Sequence, residues 1–168
     1  DLLLTGAALP NGRLLVFNVG AIDVRNVALN GGGDEDDFAL TTLASVSGST
    51  GVALRDVAIA GLGDLLINAQ SGGITTAGVI SADLVDIEAR GSIQLTTDID
   101  DLALRATAPG DITINHPDVA TLILRELDVL DGAVTVSTDG ALVLQSAIIR
   151  TNAEANDIEI DAGGDIHF

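Results

Sequence analysis

Val85-Asp86-Ile87-Glu88-Ala89-Arg90-Gly91-Ser92-Ile93-Gln94-Leu95 contains a pattern that recurs along most of this chain. Apolar and polar residues alternate up to an alanine, and a glycine then leads into a second alternating strand. Alternation with a period of two sends successive side chains to opposite faces, so Ile93 and Leu95 are predicted to face inward. The glycine is interpreted as a corner residue whose φ > 0 permits a sharp bend between two strands.

The repeat has a nearly regular length. The apolar residue at the centre of each strand advances by 20, 17, 20, 20 and 16 residues, which averages just under 19. These marks are Ile67, Ile87, Leu104, Leu124, Leu144 and Ile160. Glycine followed closely by an apolar residue comes after most of them and is missing after Leu144. Short strands repeated at such a step predict a β-solenoid, in which each coil stacks on the next.

A related phrase occupies the N-terminal part. Residues 24–31 match residues 54–61 at an offset of 30, which corresponds to one coil plus about ten inserted residues. The acidic, glycine-rich segment at about 31–38 cannot pack inside a coil and is predicted to be an exposed loop insertion.

These patterns predict an all-β fold, a single-stranded parallel β-solenoid over residues 1–168 with roughly seven to eight coils of about 19–20 residues. A sandwich of short antiparallel strands is the main alternative. It would need tight hairpin turns between strands, and the Asn-Gly and Asp-Gly pairs of this chain are not evenly spaced. Open end coils leave strand edges that pair with other strands. The segment is therefore expected to belong to a longer protein or to be a protomer that stacks end to end.

Composition excludes several classes of function. The net charge is −18 and Lys is absent, which argues against nucleic-acid binding and against anionic membrane surfaces. No apolar run has the length of roughly 20 residues that a membrane span needs. The absence of Cys excludes disulfide and thiolate chemistry. The absence of Met indicates a processed product or an internal segment.

The acidic insertion is the best local candidate for a metal site. Four consecutive acids on a glycine-flexible loop offer the oxygen ligands that Ca²⁺ prefers, and the alternative is a solvated loop. The candidate ligands are Asp34, Glu35, Asp36 and Asp37. The segment matches the calcium-binding nonapeptide repeat in part, but it occurs once, whereas those repeats bind calcium between stacked copies. No other cofactor is expected. A second cluster, Asp98-Ile99-Asp100-Asp101, is interpreted as a polar turn.

No arrangement typical of catalysis stands out, and the chain is predicted not to be an enzyme. His116 and His167 lack a second His or Cys at ligand spacing. Polysaccharide hydrolysis needs two carboxylates beside a sugar subsite, and Trp and Tyr, which commonly stack on sugars, are absent. Four arginines occupy similar strand positions and either form an outer row or pair with neighbouring acids. They are Arg25, Arg55, Arg105 and Arg125.

The strand, alanine and glycine phrase resembles the repeats of filamentous haemagglutinin-like proteins, which are large secreted bacterial surface proteins. Residues 24–31 also resemble coils of the pectate-lyase-like β-helix group. The resemblance covers residues 64–168 well and residues 21–61 less well. It implies a right-handed parallel β-helix, a location outside the cell or on the bacterial cell surface, and an adhesive or structural role.

The leading hypothesis is therefore a non-enzymatic structural module, a shaft or scaffold of an extracellular surface or filament-forming protein. Its expected partners are further coils, through end-to-end self-association or continuation in a longer solenoid. An adhesin that binds surface ligands through inserted loops is the alternative. A polysaccharide-degrading β-helix enzyme is the remote alternative.

Overall fold

The computed structural model describes residues 2–6, 8–10, 14–31, 38–43, 51–61, 63–70, 72–151 and 157–168. Over these residues the chain forms eighteen β-strands and no helix. The strands, in chain order, are β1 (Leu2–Thr5), β2 (Ala8–Pro10), β3 (Leu14–Val19), β4 (Ile22–Gly31), β5 (Phe38–Leu43), β6 (Val52–Gly61), β7 (Leu65–Ala69), β8 (Ile74–Ser81), β9 (Leu84–Ala89), β10 (Ile93–Thr96), β11 (Asp101–Ala106), β12 (Ile112–His116), β13 (Leu122–Val129), β14 (Val134–Thr138), β15 (Leu142–Leu144), β16 (Ala147–Ile149), β17 (Ile158–Ala162) and β18 (Ile166–His167).

The chain winds alternately through two parallel sheets. The first has the order β1-β4-β6-β8-β10-β12-β14-β17, with β2 also paired to β4. The second has the order β18-β15-β13-β11-β9-β7-β5-β3, with β16 also paired to β13. Each sheet path thus has eight strands within the described part of the chain, roughly matching the seven to eight predicted coils. The predicted parallel β-solenoid is confirmed. The antiparallel sandwich is excluded there because the strand pairs are parallel throughout.

The offset of 30 residues is confirmed residue by residue. Strand β6 pairs with β4 in a register that places Val24 beside Leu54 and Val27 beside Val57. The coils that begin at Ile74 and Ile93 are each 19 residues long, because Ile74, Ile93 and Ile112 are register partners in successive strands. Other coils are longer, and β8 and β13 each take up one extra residue within the strand as an irregularity of the pairing.

Two of the register marks are placed differently by the structure. Ile67, Ile87 and Leu104 do stack in the second sheet, but the next partner of Leu104 is Leu127. A β-bulge between Leu102 and Ala103 shifts the pairing, so that Leu124 stacks on Leu102 instead. Ile160 lies in the first sheet, where it pairs with Val136. Alternation predicts which side chains point inward, but a bulge changes which of them meet.

The core is a continuous column of aliphatic side chains between the two sheets. Inward-facing residues such as Ile22, Ile74, Ile93 and Ile112 have no exposed surface. Phe38 is the one phenylalanine buried in this core, whereas Phe17 and Phe168 are 64% and 90% exposed. Burial of apolar surface at about 25 cal/mol per Å² makes this core the main stabilising contribution to the fold.

The alanine of the repeated phrase also has a structural explanation. Ala69, Ala89 and Ala106 are the last residues of β7, β9 and β11. They are fully buried and stack on one another in the second sheet. Their small side chains let the chain turn there without leaving the core. The next residue of each coil bonds back to the previous one, as when Arg90 N–H donates to the carbonyl of Ala69 over 3.1 Å. The corners therefore continue the backbone hydrogen bonds of the sheets.

Most corner glycines are needed for close approach and not for φ > 0, which corrects the sequence interpretation. A Cβ atom at Gly73 would lie 2.2 Å from the carbonyl oxygen of Ser92 in the next coil. At Gly110 it would lie 2.5 Å from the amide nitrogen of Ser92. Of the predicted corner glycines that precede strands, Gly132 has a positive φ, at 143°. The corner is narrow because neighbouring coils contact each other through backbone atoms.

A second corner, which the sequence analysis missed, is made by residues with left-handed backbone. Asn26 and Asp56 have φ of 52° and 53°, and they occupy equivalent places in β4 and β6. Gly6 and Gly78, in the neighbouring coils, have φ of 63° and 91°. Asn, Asp and Gly are the residues that tolerate this conformation best. The recurrence of Asn or Asp at one position of the matched phrase was the signal for this bend.

Candidate functional site

The predicted calcium ligands Asp34, Glu35, Asp36 and Asp37 lie outside the described residues, so the calcium site stays a prediction. Within the described ranges, no three His, Asp or Glu side chains are grouped where they could hold a metal ion together. In the same part of the chain, no helix is long and apolar enough to cross a membrane.

The four arginines do not form one outer row. Arg25 and Arg55 are register partners in the first sheet, whereas Arg105 and Arg125 lie in the second. Three of the four pair with acids as expected. Arg25 contacts Asp23 through two nitrogens, and Arg125 Nε lies 2.5 Å from Asp101 Oδ1. Arg105 pairs with Glu126 over 2.9 Å.

The second sheet carries an ion-pair network on its outer surface. Arg105 lies between Glu88 of the preceding coil and Glu126 and Asp128 of the following coil. Arg150 donates from Nε to Asp128 Oδ1 over 2.6 Å and also contacts the other carboxylate oxygen. Asp128 is 4% exposed, and its hydrogen bonds from Arg150 hold the pKa of its carboxyl below the ordinary value. The network therefore connects four consecutive coils through charge.

Asp128→Asn is expected to lower the free energy of unfolding at pH 7 by about 2 kcal/mol, because it weakens charge-assisted hydrogen bonds at a buried position. The folded-state pKa lies below the ordinary 3.8, so the carboxylate stabilises the fold above that value. Its contribution is lost as the pH falls through the lowered folded pKa. Urea unfolding at a series of pH values should show the difference from wild type shrinking in acid. Glu88→Gln, at a partly exposed member of the network, should change stability by less than about 0.5 kcal/mol. An undiminished Asp128→Asn effect in acid would contradict this assignment.

In the turn around Asp98, the carboxyl groups of Asp98 and Asp118 are close enough for each to shift the pKa of the other. Burial, and then the hydrogen bond with Asp118, raise the pKa of Asp98. Asp118 accepts a hydrogen bond from the Ala120 N–H over 2.8 Å, and this bond is the main reason why its pKa is lowered. His116 is fully buried beside them, with Nδ1 3.1 Å from Thr138 Oγ1. The predicted polar turn therefore extends to Asp118 of the next coil.

The outer surface of the first sheet has a property that sequence analysis did not find. One outward column runs in register through Ala53, Thr75, Gln94, Thr113, Thr135 and Glu159. A second set of outward residues lies two positions further along each strand; it is in register from Thr96 through Asn115 to Ser137, and β8 joins it less regularly because Ile80 pairs with Thr97. Between β8 and β14 the two columns carry no charge, and we call these residues the neutral face. They are Thr75, Ala77, Gln94, Thr96, Thr113, Asn115, Thr135 and Ser137.

The neutral face is unusual because the chain has 25 acidic residues and a net charge of −18. The signal was present in the polar positions of the alternating strands, which are hydroxyl or amide residues in β10, β12 and β14. It could not be recognised without the register, which decides that these positions are neighbours.

Two further surface features lie near the first coils. Leu15, Phe17 and Val19 point outward from β3 and are 49%, 64% and 66% exposed. An open groove of about 600 Å³ runs along the corner at Gly51 and Gly73. Asp23 is the one ionisable side chain among the described residues that line it.

These observations define the class of protein: a parallel β-solenoid built from repeated coils, with a core made mainly of aliphatic side chains and a charge-patterned surface. No family model matches the chain, and no curated protein or solved structure is significantly similar to it.

Proposed function

We propose that this chain is a non-enzymatic structural module, a shaft or scaffold segment of an extracellular or cell-surface protein that assembles by stacking coils. The observation that carries the proposal is the continuity of the core. Ile22, Val52, Ile74, Ile93 and Ile112 follow one another in a single column and are all buried. Such a stack transmits force along its axis because each coil is hydrogen-bonded to its neighbours.

The two ends of this column support stacking onto a further coil. Leu2 and Ile158 are its outermost described members, and they are 36% and 43% exposed, although their side chains face the core. Strands β1 and β17 are likewise the outermost strands of the first sheet. A further coil would cover the open ends of the core and pair with these edges. We infer that this coil comes from the same protein or from a second copy.

The location outside the cell and the haemagglutinin-like character rest on the resemblance of the repeated phrase, and the high negative charge is compatible with them. An acidic rod resists side-by-side aggregation at low salt, because like charges repel within a Debye length of about 10 Å at 0.1 M. Pairing at the ends involves mainly backbone groups and apolar side chains, so it is less opposed by charge.

Stacking can be tested at one residue of β1. The N–H groups of Leu2 and Gly6 donate inward to Ala21 and Arg25. Residues alternate in direction along a strand, so the Leu3 N–H points to the open edge. Leu3→Pro therefore removes a donor from that edge without breaking a bond inside the coil.

Electron microscopy and light scattering at low and high salt provide the measurement. We expect rods or filaments of the wild-type chain that lengthen as salt screens the charge, and short particles of Leu3→Pro under the same conditions. Leu3→Ala, which keeps the edge donor, is the matched control and should still stack. Strictly short particles of the wild type at every salt concentration would remove the self-stacking form of the proposal.

A further inference from the structure

The charges at the two ends of the neutral face are opposite. Arg55 follows Ala53 by two residues on β6, next to one end of the face. Glu159 and Asp161 lie on β17, at the other end. All three side chains are exposed, and none of them forms an ion pair with another residue in the part of the chain that the structure describes. The charge of Arg55 contributes, at longer range, to the lowered pKa of Asp23. The carboxylate of Asp23 is already paired with Arg25.

This order of charges is self-complementary when one copy is reversed. A two-fold axis parallel to the strands and midway between β10 and β12 reverses the coil order and keeps the columns aligned. It places β6 of one copy opposite β17 of the other, β8 opposite β14, and β10 opposite β12. Arg55 then faces Asp161 of the second copy, and Glu159 faces Ala53 of the second copy. The pairing occurs twice, because an isologous contact repeats every interaction.

The acids beside the face fit the same arrangement. Asp111 and Asp157 are the residues immediately before β12 and β17, respectively. In the reversed copy their opposite positions are Ser92 and Gly51, which carry no charge. If the two copies were instead related by a two-fold axis along the coil direction, β17 would face β17, and Glu159 of each copy would lie opposite Asp161 of the other. Like charges in direct contact disfavour association, so the reversed arrangement is strongly preferred.

The shape and chemistry of the face favour a second sheet over other partners. Strands β8, β10, β12 and β14 are paired on both sides, so a peptide cannot add to them as a further strand. The outward side chains are small, which suits two sheets packed face to face about 10 Å apart. From β6 to β17 the contact is about 24 Å long at the strand spacing of parallel sheets. This is a small interface, and small interfaces give weak, reversible complexes.

We propose that two copies of this chain associate side by side, in antiparallel orientation, through the neutral face, with Arg55 of each copy contacting Asp161 of the other. This side-by-side contact is isologous and therefore forms a dimer and no larger assembly. Stacking at the ends, in contrast, can add further copies without limit. It also supplies a lateral link between stacked rods, at a surface where the acidic charge of the chain is interrupted.

Charge exchange tests the proposal directly. Sedimentation equilibrium is measured in the Leu3→Pro background, which blocks the open edge of β1, at about 0.15 M ionic strength and at concentrations up to roughly 1 mM. The parent is expected to show a monomer–dimer equilibrium. Arg55→Glu alone and Asp161→Arg alone should each weaken the dimer at least about tenfold, because each opposes like charges twice. An equimolar mixture of the two variants should recover the parent affinity, since both contacts then join opposite charges.

Arg90→Glu is the matched control, because it makes the same change in charge at an exposed arginine that follows the second sheet. It should leave the dimer affinity within about twofold of the parent. A parent that stays monomeric at every concentration overturns the proposal. So does a mixture that associates no better than either variant alone, or an Arg90→Glu effect as large as that of Arg55→Glu.

Discussion

Gly73→Ala is expected to lower the free energy of unfolding by roughly 3 kcal/mol, because it forces two coils apart where their backbones touch. The added Cβ would lie 2.2 Å from the carbonyl oxygen of Ser92. That oxygen accepts a hydrogen bond from Ile74 N–H over 2.9 Å, and the Gly73 carbonyl accepts one from Val52 N–H over 3.1 Å. No flexible side chain can move out of the way, so the corner itself must shift and weaken these bonds.

Gly91→Ala provides the comparison for this prediction. Its Cβ would approach the nearest backbone atom at 3.1 Å, a distance that a shift of a few tenths of an ångström relieves. We therefore expect a cost of about 1 kcal/mol or less. Urea unfolding measures both variants, and hydrogen exchange shows which coils open first, since repeat proteins need not unfold in one step. Equal stability of Gly73→Ala and wild type would show that the corner is looser than the structure indicates.

Phe38→Ala is expected to lower the free energy of unfolding by about 4 kcal/mol, the range found when a large buried aromatic residue is truncated. Phe38 has no exposed surface and stacks between Leu14 and Leu65 in the second sheet. Removal of the ring leaves a cavity inside a narrow core, and the neighbouring coils are held in place by their own hydrogen bonds. Phe38→Leu, which restores the residue type of the column, should cost no more than about 1.5 kcal/mol.

Phe17→Ala is the control for this second prediction, since it makes the same change on the neighbouring strand. Phe17 is 64% exposed and points outward from β3, which pairs with β5. Its truncation should change stability by about 0.5 kcal/mol or less in dilute solution. Chemical denaturation of both variants at one protein concentration is the measurement. A cost for Phe17→Ala as large as that for Phe38→Ala would mean that the outer face of β3 is covered in solution.

The fold was predictable because its pattern is local. Alternation in Ile93-Gln94-Leu95 predicted that Ile93 and Leu95 are buried and Gln94 exposed, which the structure confirms. The match between residues 24–31 and 54–61 predicted two equivalent strands, and they pair residue for residue. Side-chain direction follows from the period of the strand alone, so it does not require knowledge of any distant contact.

The register was predictable only in part. The step from Ile67 to Ile87 and on to Leu104 was right, because no irregularity interrupts β7, β9 and β11. The step from Leu104 to Leu124 was wrong, because a bulge shifts the register of β13 between the partners of Leu102 and Ala103. No residue in this stretch is of a type that indicates a bulge. Assigning Ile160 to the column of Leu144 was also wrong, since the two residues lie in different sheets.

The sequence by itself determined the class of fold, the inward positions and the acidic character of the surface, because each depends on composition or on the period of two along a strand. The tertiary structure decided which outward residues are neighbours. It joined Thr75, Gln94, Thr113 and Thr135 into one uncharged column with Arg55 near one end and Glu159 at the other. The physical reason is that the length of every loop and bulge sets the register between successive coils. Which outward residues are neighbours therefore depends on all of these lengths together.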